Sequence, residues 1–242
     1  MAQSDSAALK RAAAVRALEF VKDGMKLGLG TGSTAEAFLE VLSPRVHGGV
    51  KIIGVATSER TAQRARALGI TIAELDSQAP LDLTIDGADE ADRDLNLIKG
   101  GGGAHLREKI VATSSKKMVV IADSSKLVER LGRFPLPVEV STFGHKTTAA
   151  RIVNAVAKLK YNHVPMTLRT KDGAPFKTDG GNYIYDCGFG AIADAASLAQ
   201  ALSAIPGVIE HGLFVGIASA LVIAGPDGVE VIERFHPSTG SG

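Results

Sequence analysis

The sequence is short of several things, and each shortage removes a class of function. It has a single cysteine, Cys187, so no internal disulfide can form, and the residue reads as a small buried side chain. Its 27 basic and 26 acidic side chains nearly cancel. That balance offers neither a nucleic-acid surface nor an acidic tail. No apolar run reaches the roughly 18 residues needed to span a bilayer, so no membrane partner is expected. The stretch MAQSDSAALKRAAAVRALEF carries charges throughout and lacks the unbroken apolar core of a secretory signal. A cytoplasmic location is the expectation. There is no internal repeat and no low-complexity block. The six histidines, at 47, 105, 145, 163, 211 and 236, show no zinc-ligand spacing with one another or with Cys187.

What is present is an ordinary globular composition, 45% apolar and 22% charged over 242 residues. That length allows one large domain, or one domain with a smaller one attached. Helical patterns cover residues 7–22, 58–68 and 104–113, with another behind the glycine turn at 30–34. Strand patterns cover 26–29, 50–56, 81–85 and 117–122, with a shorter β-prone stretch at 70–74. Strands alternating with helices predict an α/β fold, Rossmann-like, with a largely parallel sheet and helices on both faces. Near Pro135 the rhythm changes. Strand 136–141, helix 146–159, strands 165–170 and 182–187, helix 197–205 and strand 207–212 give β-α-β-β-α-β, the ferredoxin-like order. The expected organisation is therefore a large α/β catalytic domain, 1–135 with 213–242, and an inserted small α+β domain, 136–212. Strands at 218–224 and 229–233 flank Pro226-Asp227-Gly228 and predict a hairpin. The tail, 236–242, reads as disordered.

Four glycines directly behind a lysine, Lys99-Gly100-Gly101-Gly102-Gly103, are the most unusual local feature. A glycine costs roughly 0.5–1 kcal/mol relative to alanine inside a regular element. A flexible linker is one reading, but linkers are usually mixed with serine and rarely sit between a strand and a helix start. Bare backbone amides beside a lysine would instead make an anion or oxyanion site. Glu108 falls in the first turns of the next helix and by itself is an ordinary helix glutamate. His105, beside the glycines, reads as a surface or helix-start residue.

The turn Gly30-Thr31-Gly32-Ser33-Thr34-Ala35 has three readings. It fits a dinucleotide fingerprint, yet the ribose-binding acid expected about 20 residues on is missing, since position 55 is Val. It can be a monophosphate cradle, with Ser33 and Thr34 offering hydroxyls and amides at a helix N-terminus. It can also be a tight turn with an N-cap serine. Further on, Asp86 and Asp89 follow a strand directly, where ligand crevices of open α/β sheets lie. Glu90, Asp92 and Asp94 read as solvated loop charges. A calcium loop beginning at Asp92 fails at its sixth position, Leu97, and its twelfth, Gly103.

Taken in order, GTGSTA, DGADE, KGGGGA-x-x-x-E-K and ADSSK resemble ribose-5-phosphate isomerase of the A type. TDGGNYIYD at 178–186 and IPGVIEHGLF at 205–214 extend the likeness over nearly the whole chain outside the tail. One small departure is Gly180, where the family pattern has asparagine; the turn is left intact. The family is similar in fold to a group of sugar-phosphate and acyl-transfer proteins. The resemblance implies that Thr31, Gly32, Ser33 and Thr34 bind substrate, with Asp86, Gly87, Ala88 and Asp89, with Lys99, Gly100, Gly101 and Gly102, and with Lys126. Lys10, on the first helix, is implied as a further phosphate contact, and Glu108 as the proton acceptor. A homodimer or homotetramer is implied too.

The chemistry asks for such groups. Converting an aldose to a ketose moves one proton from C2 to C1 through a cis-enediolate, and one carboxylate, Glu108, can carry it. Lys99 and the glycine amides would meet the charge on the carbonyl oxygen. Asp86 and Asp89, as neighbouring carboxylates, would share a proton and serve the oxygens and ring opening. The scheme needs no metal and no organic cofactor. Two rivals remain at this level: a non-catalytic sugar-phosphate sensor, disfavoured by the joint presence of Glu108 and both aspartates, and a nicotinamide-dependent dehydrogenase, disfavoured by the missing acid.

Overall fold

The computed structural model describes residues 2–234, and the expected disordered tail, 236–242, lies outside the described residues. The first half of the chain runs α1 (Ala2–Ala17), β1 (Lys26–Leu29), α2 (Ser33–His47), β2 (Ile53–Ala56), α3 (Glu59–Ala67), α4 (Leu75–Gln78), β3 (Leu83–Asp86), β4 (Glu90–Ala91), β5 (Leu97–Ile98), α5 (His105–Thr113) and β6 (Met118–Asp123). The second half runs β7 (Leu136–Val140), α6 (His145–Lys158), β8 (Met166–Leu168), β9 (Thr170–Lys171), β10 (Ala174–Pro175), β11 (Tyr183–Cys187), α7 (Ala195–Ser203), β12 (Val208–His211), β13 (Leu213–Phe214), β14 (Ala220–Gly225) and β15 (Gly228–Glu233).

The large sheet has the order β15-β14-β6-β3-β1-β2. All its neighbours pair in parallel except the β14–β15 hairpin. Every residue of β3 and β6 is buried. Burial along the whole length belongs to strands covered on both faces. β15 is mostly exposed, as befits an edge. The chain goes from β1 to β2 on one side, then to β3 on the other, so the strand order reverses between β1 and β3. The crevice beyond the carboxyl ends at such a switch point is where α/β sheets bind ligands. α1 packs Ala13, Ala14 and Ala17 into the core that backs β1, β3 and β6.

A second, four-stranded sheet has the order β12-β7-β11-β8 and is antiparallel throughout. This is the ferredoxin-like arrangement. α6 and α7 cover it through Ile152, Val156, Leu198 and Leu202, and Cys187 is buried in the same core. A three-stranded ribbon, β13-β5-β4, completes the described sheets besides the β9–β10 hairpin.

Several expectations shift. The first helix spans Ala2–Ala17 and ends in a single 3-10 turn, Leu18–Phe20, rather than spanning 7–22. Residues 70–74 form no strand; only Ile72 bridges Gly54. The strand expected at 81–85 covers Leu83–Asp86, so Asp86 is its last residue. Strand 165–170 is shorter, Met166–Leu168, and Thr170 opens the separate hairpin. Among the described residues no helix is long and apolar enough to cross a membrane.

Candidate active site

Three adjacent parallel strands, β1, β3 and β6, end at one edge of the large sheet, and a cavity of about 130 Å³ opens there. Its walls are Thr31, Gly32, Ser33 and Thr34 after β1, then Gly87, Ala88 and Asp89 after β3, and Lys126 after β6. Lys99, Gly100, Gly101 and Gly102 line it from the end of β5, Glu108 from α5 and Lys10 from α1. Of the site residues that the resemblance implied, only Asp86 does not line it. Asp86 is wholly buried and meets the lining through Lys99.

The turn after β1 is shaped around that aspartate. A Cβ on Gly30 would lie 2.0 Å from Asp86 Oδ1, so only glycine lets the carboxylate rest against this backbone. Asp86 Oδ1 accepts from the Thr31 N–H at 3.1 Å and the Gly87 N–H at 2.7 Å. Gly32 precedes α2 with φ 113°, a region that favours glycine. The serine of this turn is not the N-cap: Ser33 is the first helical residue, and Lys10 Nζ donates to its Oγ at 3.0 Å. The first N–H groups of a helix have no partner within it and carry partial positive charge. With Lys10 and Lys126 on the same cavity, the start of α2 has the donors and positive charge that could hold an anion.

Thr31 is placed differently from its neighbours. Its hydroxyl donates to Ser58 Oγ at 2.8 Å, Ser58 donates to Thr61 at 3.0 Å, and Thr61 donates to the Gly30 carbonyl at 3.0 Å. Thr57 Oγ1 lies 2.7 Å from Thr31 Oγ1. This hydroxyl chain braces the turn from the β2–α3 junction. Sequence reasoning passed over it, although a run of hydroxyl residues where a strand ends, TSERT, was a visible signal.

The charged centre is a buried trio. Lys99 Nζ lies 3.0 Å from Asp86 Oδ2 and 3.3 Å from Glu108 Oε2, and it donates to the Gly87 carbonyl at 2.6 Å. Asp86 Oδ2 and Glu108 Oε2 are buried and make no hydrogen bond beyond these ion pairs. Burial, and then the negative charge of Asp86, push the Glu108 carboxyl up to about 8. Burial also pushes Asp86 up, against the pull of Lys99. Burial works against the Lys99 charge, but Asp86 and Glu108 outweigh it and hold the ammonium above the usual lysine range. Two carboxylates on one cation favour retention of a proton between them. The carboxylate that faces Asp86 across Lys99 is Glu108, whereas the sequence suggested Asp89. Asp89 sits apart at the cavity rim, half-buried, with its Oδ2 accepting from the Gly101 N–H at 2.7 Å.

The glycine run is a tight turn, closed by Gly103 N–H to Gly100 carbonyl at 2.9 Å, not a linker. Three of its glycines have reasons inside the protein. Gly100 and Gly103 have φ of 108° and 77°, and a Cβ on Gly101 would lie 2.7 Å from Asp89 Oδ1. Gly102 has no such reason: its nearest neighbour would be Thr31 Cγ2 at an ordinary 3.7 Å. The Gly101 amide is engaged by Asp89, and Gly102 faces the cavity.

Two residues read as superficial are buried. Glu90 is 0% exposed, its Oε2 accepting from the Gly132 N–H and its Oε1 from the Phe134 N–H, both at 2.7 Å. It staples the segment before β7 to β4. His105 does begin α5, but it is wholly buried beneath Gly100 and 3.7 Å from Glu139. Burial, then the charges of Lys109 and Arg169, press its pKa down to about 3, so the ring is neutral. Asp94 is exposed, and Asp92 accepts from the Asn96 N–H at 2.8 Å in a local turn. Among the described residues no group of three or more His, Cys, Asp or Glu side chains is arranged to hold a metal ion.

Residues 53–228 match the family model described as ribose 5-phosphate isomerase A (phosphoriboisomerase A). The ribose-5-phosphate isomerase A of Brucella suis biovar 1 is 57% identical over 226 residues, 93% of this chain and 97% of that protein. That of Rhodopseudomonas palustris strain BisB18 is 58% identical over 93% of this chain and 97% of its own. The solved ribose 5-phosphate isomerase of Plasmodium falciparum superposes with a TM-score of 0.90 at 35% identity, covering 95% of this chain and all of that one. A D-ribose-5-phosphate isomerase solved in complex with phospho-erythronic acid superposes with a TM-score of 0.87 at 37% identity, covering 94% and 98%.

Proposed function

The chain belongs to the ribose-5-phosphate isomerase A family, and on that premise we infer how its cavity carries out the reaction. It interconverts D-ribose 5-phosphate and D-ribulose 5-phosphate, an aldose–ketose isomerisation of the pentose phosphate pathway. The observation that carries the mechanism is the buried trio: one lysine held between two carboxylates whose facing oxygens make no other hydrogen bond, at the edge of a cavity with an anion site. A sugar phosphate has the matching parts. The phosphate goes to the start of α2, with Ser33, Thr34, Lys10 and Lys126 around it. The reacting carbons then lie toward Glu108.

Glu108, once ionised, takes the proton from C2. The C–H electron pair forms the C1–C2 double bond of a cis-enediolate, and the carbonyl pair moves to O1. The same carboxyl returns the proton to C1, and the electrons on O2 become the new carbonyl. Lys99 and the Gly102 segment face the developing oxyanion; removing one such donor typically costs 10²–10³-fold in turnover. Asp89 at the rim serves the oxygen protons and ring opening, while Asp86, beneath Lys99, acts through that lysine. The raised pKa of Glu108 makes its carboxylate a stronger base, at the cost of a smaller ionised fraction at neutral pH. Binding energy from the phosphate orients the carbons. The phospho-erythronic acid complex of a relative fits this reading, being itself a phosphorylated sugar acid. No observation favours a non-catalytic sensor.

The test is formation of ribulose 5-phosphate from ribose 5-phosphate by the wild type and by Glu108→Gln, with chelator present. Activity in the wild type and a loss of at least about 10²-fold in turnover in the variant, with sugar-phosphate binding retained, are expected. Near-normal turnover in Glu108→Gln would remove it from this role, and strict metal dependence would replace proton transfer with a hydride shift. With the family reading we also propose two domains, 1–135 with 213–242 and 136–212, a homodimer or homotetramer, and a cytoplasmic location. Limited proteolysis, sedimentation and cell fractionation test these in turn.

A further inference from the structure

The peptide joining Gly100 to Gly101 is gripped from both sides. Its carbonyl oxygen, on Gly100, accepts from Arg169 Nη1 at 2.8 Å. Its N–H, on Gly101, donates to Asp89 Oδ2 at 2.7 Å. The same guanidinium nitrogen reaches the Gly101 carbonyl at 3.2 Å. The rest of the guanidinium forks onto Asp186, Nε to Oδ2 at 3.0 Å and Nη2 to Oδ1 at 2.5 Å. Arg169 lies just past β8 and Asp186 lies on β11, so a side chain from the four-stranded sheet reaches across to the glycine turn. The proposed reaction uses neither residue, and the motif that contains Asp186 has no role in it.

We propose that Arg169, oriented by Asp186, is a positioning residue for Asp89, acting through the Gly100–Gly101 peptide. The inference rests on the reading of Asp89 as a group that handles the sugar's oxygen protons. A trans peptide holds its C=O and N–H pointing in opposite directions. A cation on the oxygen and a carboxylate on the N–H are thus opposite ends of one polarised unit, and hydrogen bonds arranged in series strengthen one another. The ionised partners make each end bond stronger than a neutral one. The planar fork of arginine meets Asp186 and the loop carbonyls together, which a lysine ammonium does not. The arrangement also accounts for Gly101, since a Cβ there would collide with Asp89. Asp89 is in this way aimed into the cavity by a residue that does not line it.

A strut that merely joined the two sheets would make the same contacts, so the test must separate the two roles. Initial rates on ribose 5-phosphate are compared for the full-length wild type, Arg169→Ala, Asp89→Asn and the double variant, with melting temperatures alongside. Arg169→Ala is expected to lower kcat by roughly 10–100-fold with KM within about threefold. In the Asp89→Asn background the same substitution is expected to change kcat by less than about twofold, because the route of its effect is already cut. Methylguanidine is expected to restore part of the Arg169→Ala rate and none of the Asp89→Asn rate. Unchanged kcat in Arg169→Ala, or losses that multiply in the double variant, would overturn the inference. If Arg169→Ala does not fold, Asp186→Asn takes its place in the cycle under the same criteria. Wild-type turnover in Asp89→Asn would overturn the role of Asp89 itself, and an inactive wild type the reading of the reaction.

Discussion

The surroundings of Glu90 and of Glu108 both bury a carboxylate, and they treat it in opposite ways. Around Glu90, two backbone N–H groups at 2.7 Å satisfy both oxygens. Around Glu108, Oε2 has only the Lys99 ion pair at 3.3 Å and makes no hydrogen bond. A satisfied buried carboxylate holds chain segments together. An under-satisfied one keeps its desolvation penalty, which raises its pKa and leaves it ready to take a proton. Burial of an acid is therefore not itself a mark of catalysis; what else touches the oxygens decides.

The largest effect that would sharpen the contrast comes from the lysine. Lys99→Met leaves Asp86 and Glu108 without their cation, so both are driven toward the protonated form and the oxyanion loses its donor. A fall in kcat of about 10²–10³-fold is expected from steady-state assays; a change of only a few fold would mean that the trio is a structural feature like Glu90. Next comes Lys126→Ala, on the phosphate side. It is expected to raise KM by roughly 10–100-fold while sparing kcat more, as loss of a charged hydrogen bond of about 1.5–3 kcal/mol does.

The third effect is a pH profile. With Glu108 pushed up to about 8, its ionised form grows scarce as pH falls. kcat/KM should then rise about tenfold per pH unit below that value and level above it. A profile already flat through neutral pH would show that Glu108 titrates as an ordinary glutamate. Stability runs the other way. A carboxyl whose folded pKa is raised binds its proton more tightly in the folded state, so its contribution is present below the ordinary glutamate value of 4.5 and is lost as pH rises toward about 8. Glu108→Gln should flatten that decline in thermal melts. The smallest effect on rate belongs to Glu90→Gln. It sets an amide N–H₂ against a backbone donor and should cost about 1–3 kcal/mol of stability with turnover within a few fold. Melting curves beside rates measure both, and a large loss of turnover in a fully folded Glu90→Gln would erase the contrast.

The inner strands of the large sheet were legible as short, mostly apolar segments bounded by turn residues, as in Met118–Asp123, and the edge strand from the hairpin turn before it. The four-stranded sheet was legible from the order of its elements. The ribbon β13-β5-β4 was not: each of its strands is two residues long, too short for any periodicity, and exists because a neighbour pairs with it. Among the site residues, motifs brought Ser33, Asp86, Asp89, Lys99, Glu108 and Lys126 to notice together. They gave no sign that Gly101 would be held by Asp89, or that Arg169 would cross to the glycine turn, because those contacts join residues 12 and 68 positions apart.

By itself the sequence determined the alternation of strand and helix, the glycines that free the turns, and which chemical groups stand where strands end. Those are local properties, set by side-chain pattern and backbone freedom within a few residues. Only the tertiary structure decided which acids are satisfied and which are left short of partners. It paired Lys99 with Glu108 as well as Asp86 and turned Glu90 into a staple. The physical reason is that solvation and hydrogen bonding depend on atoms brought together from distant parts of the chain, and they set the energy of a buried charge.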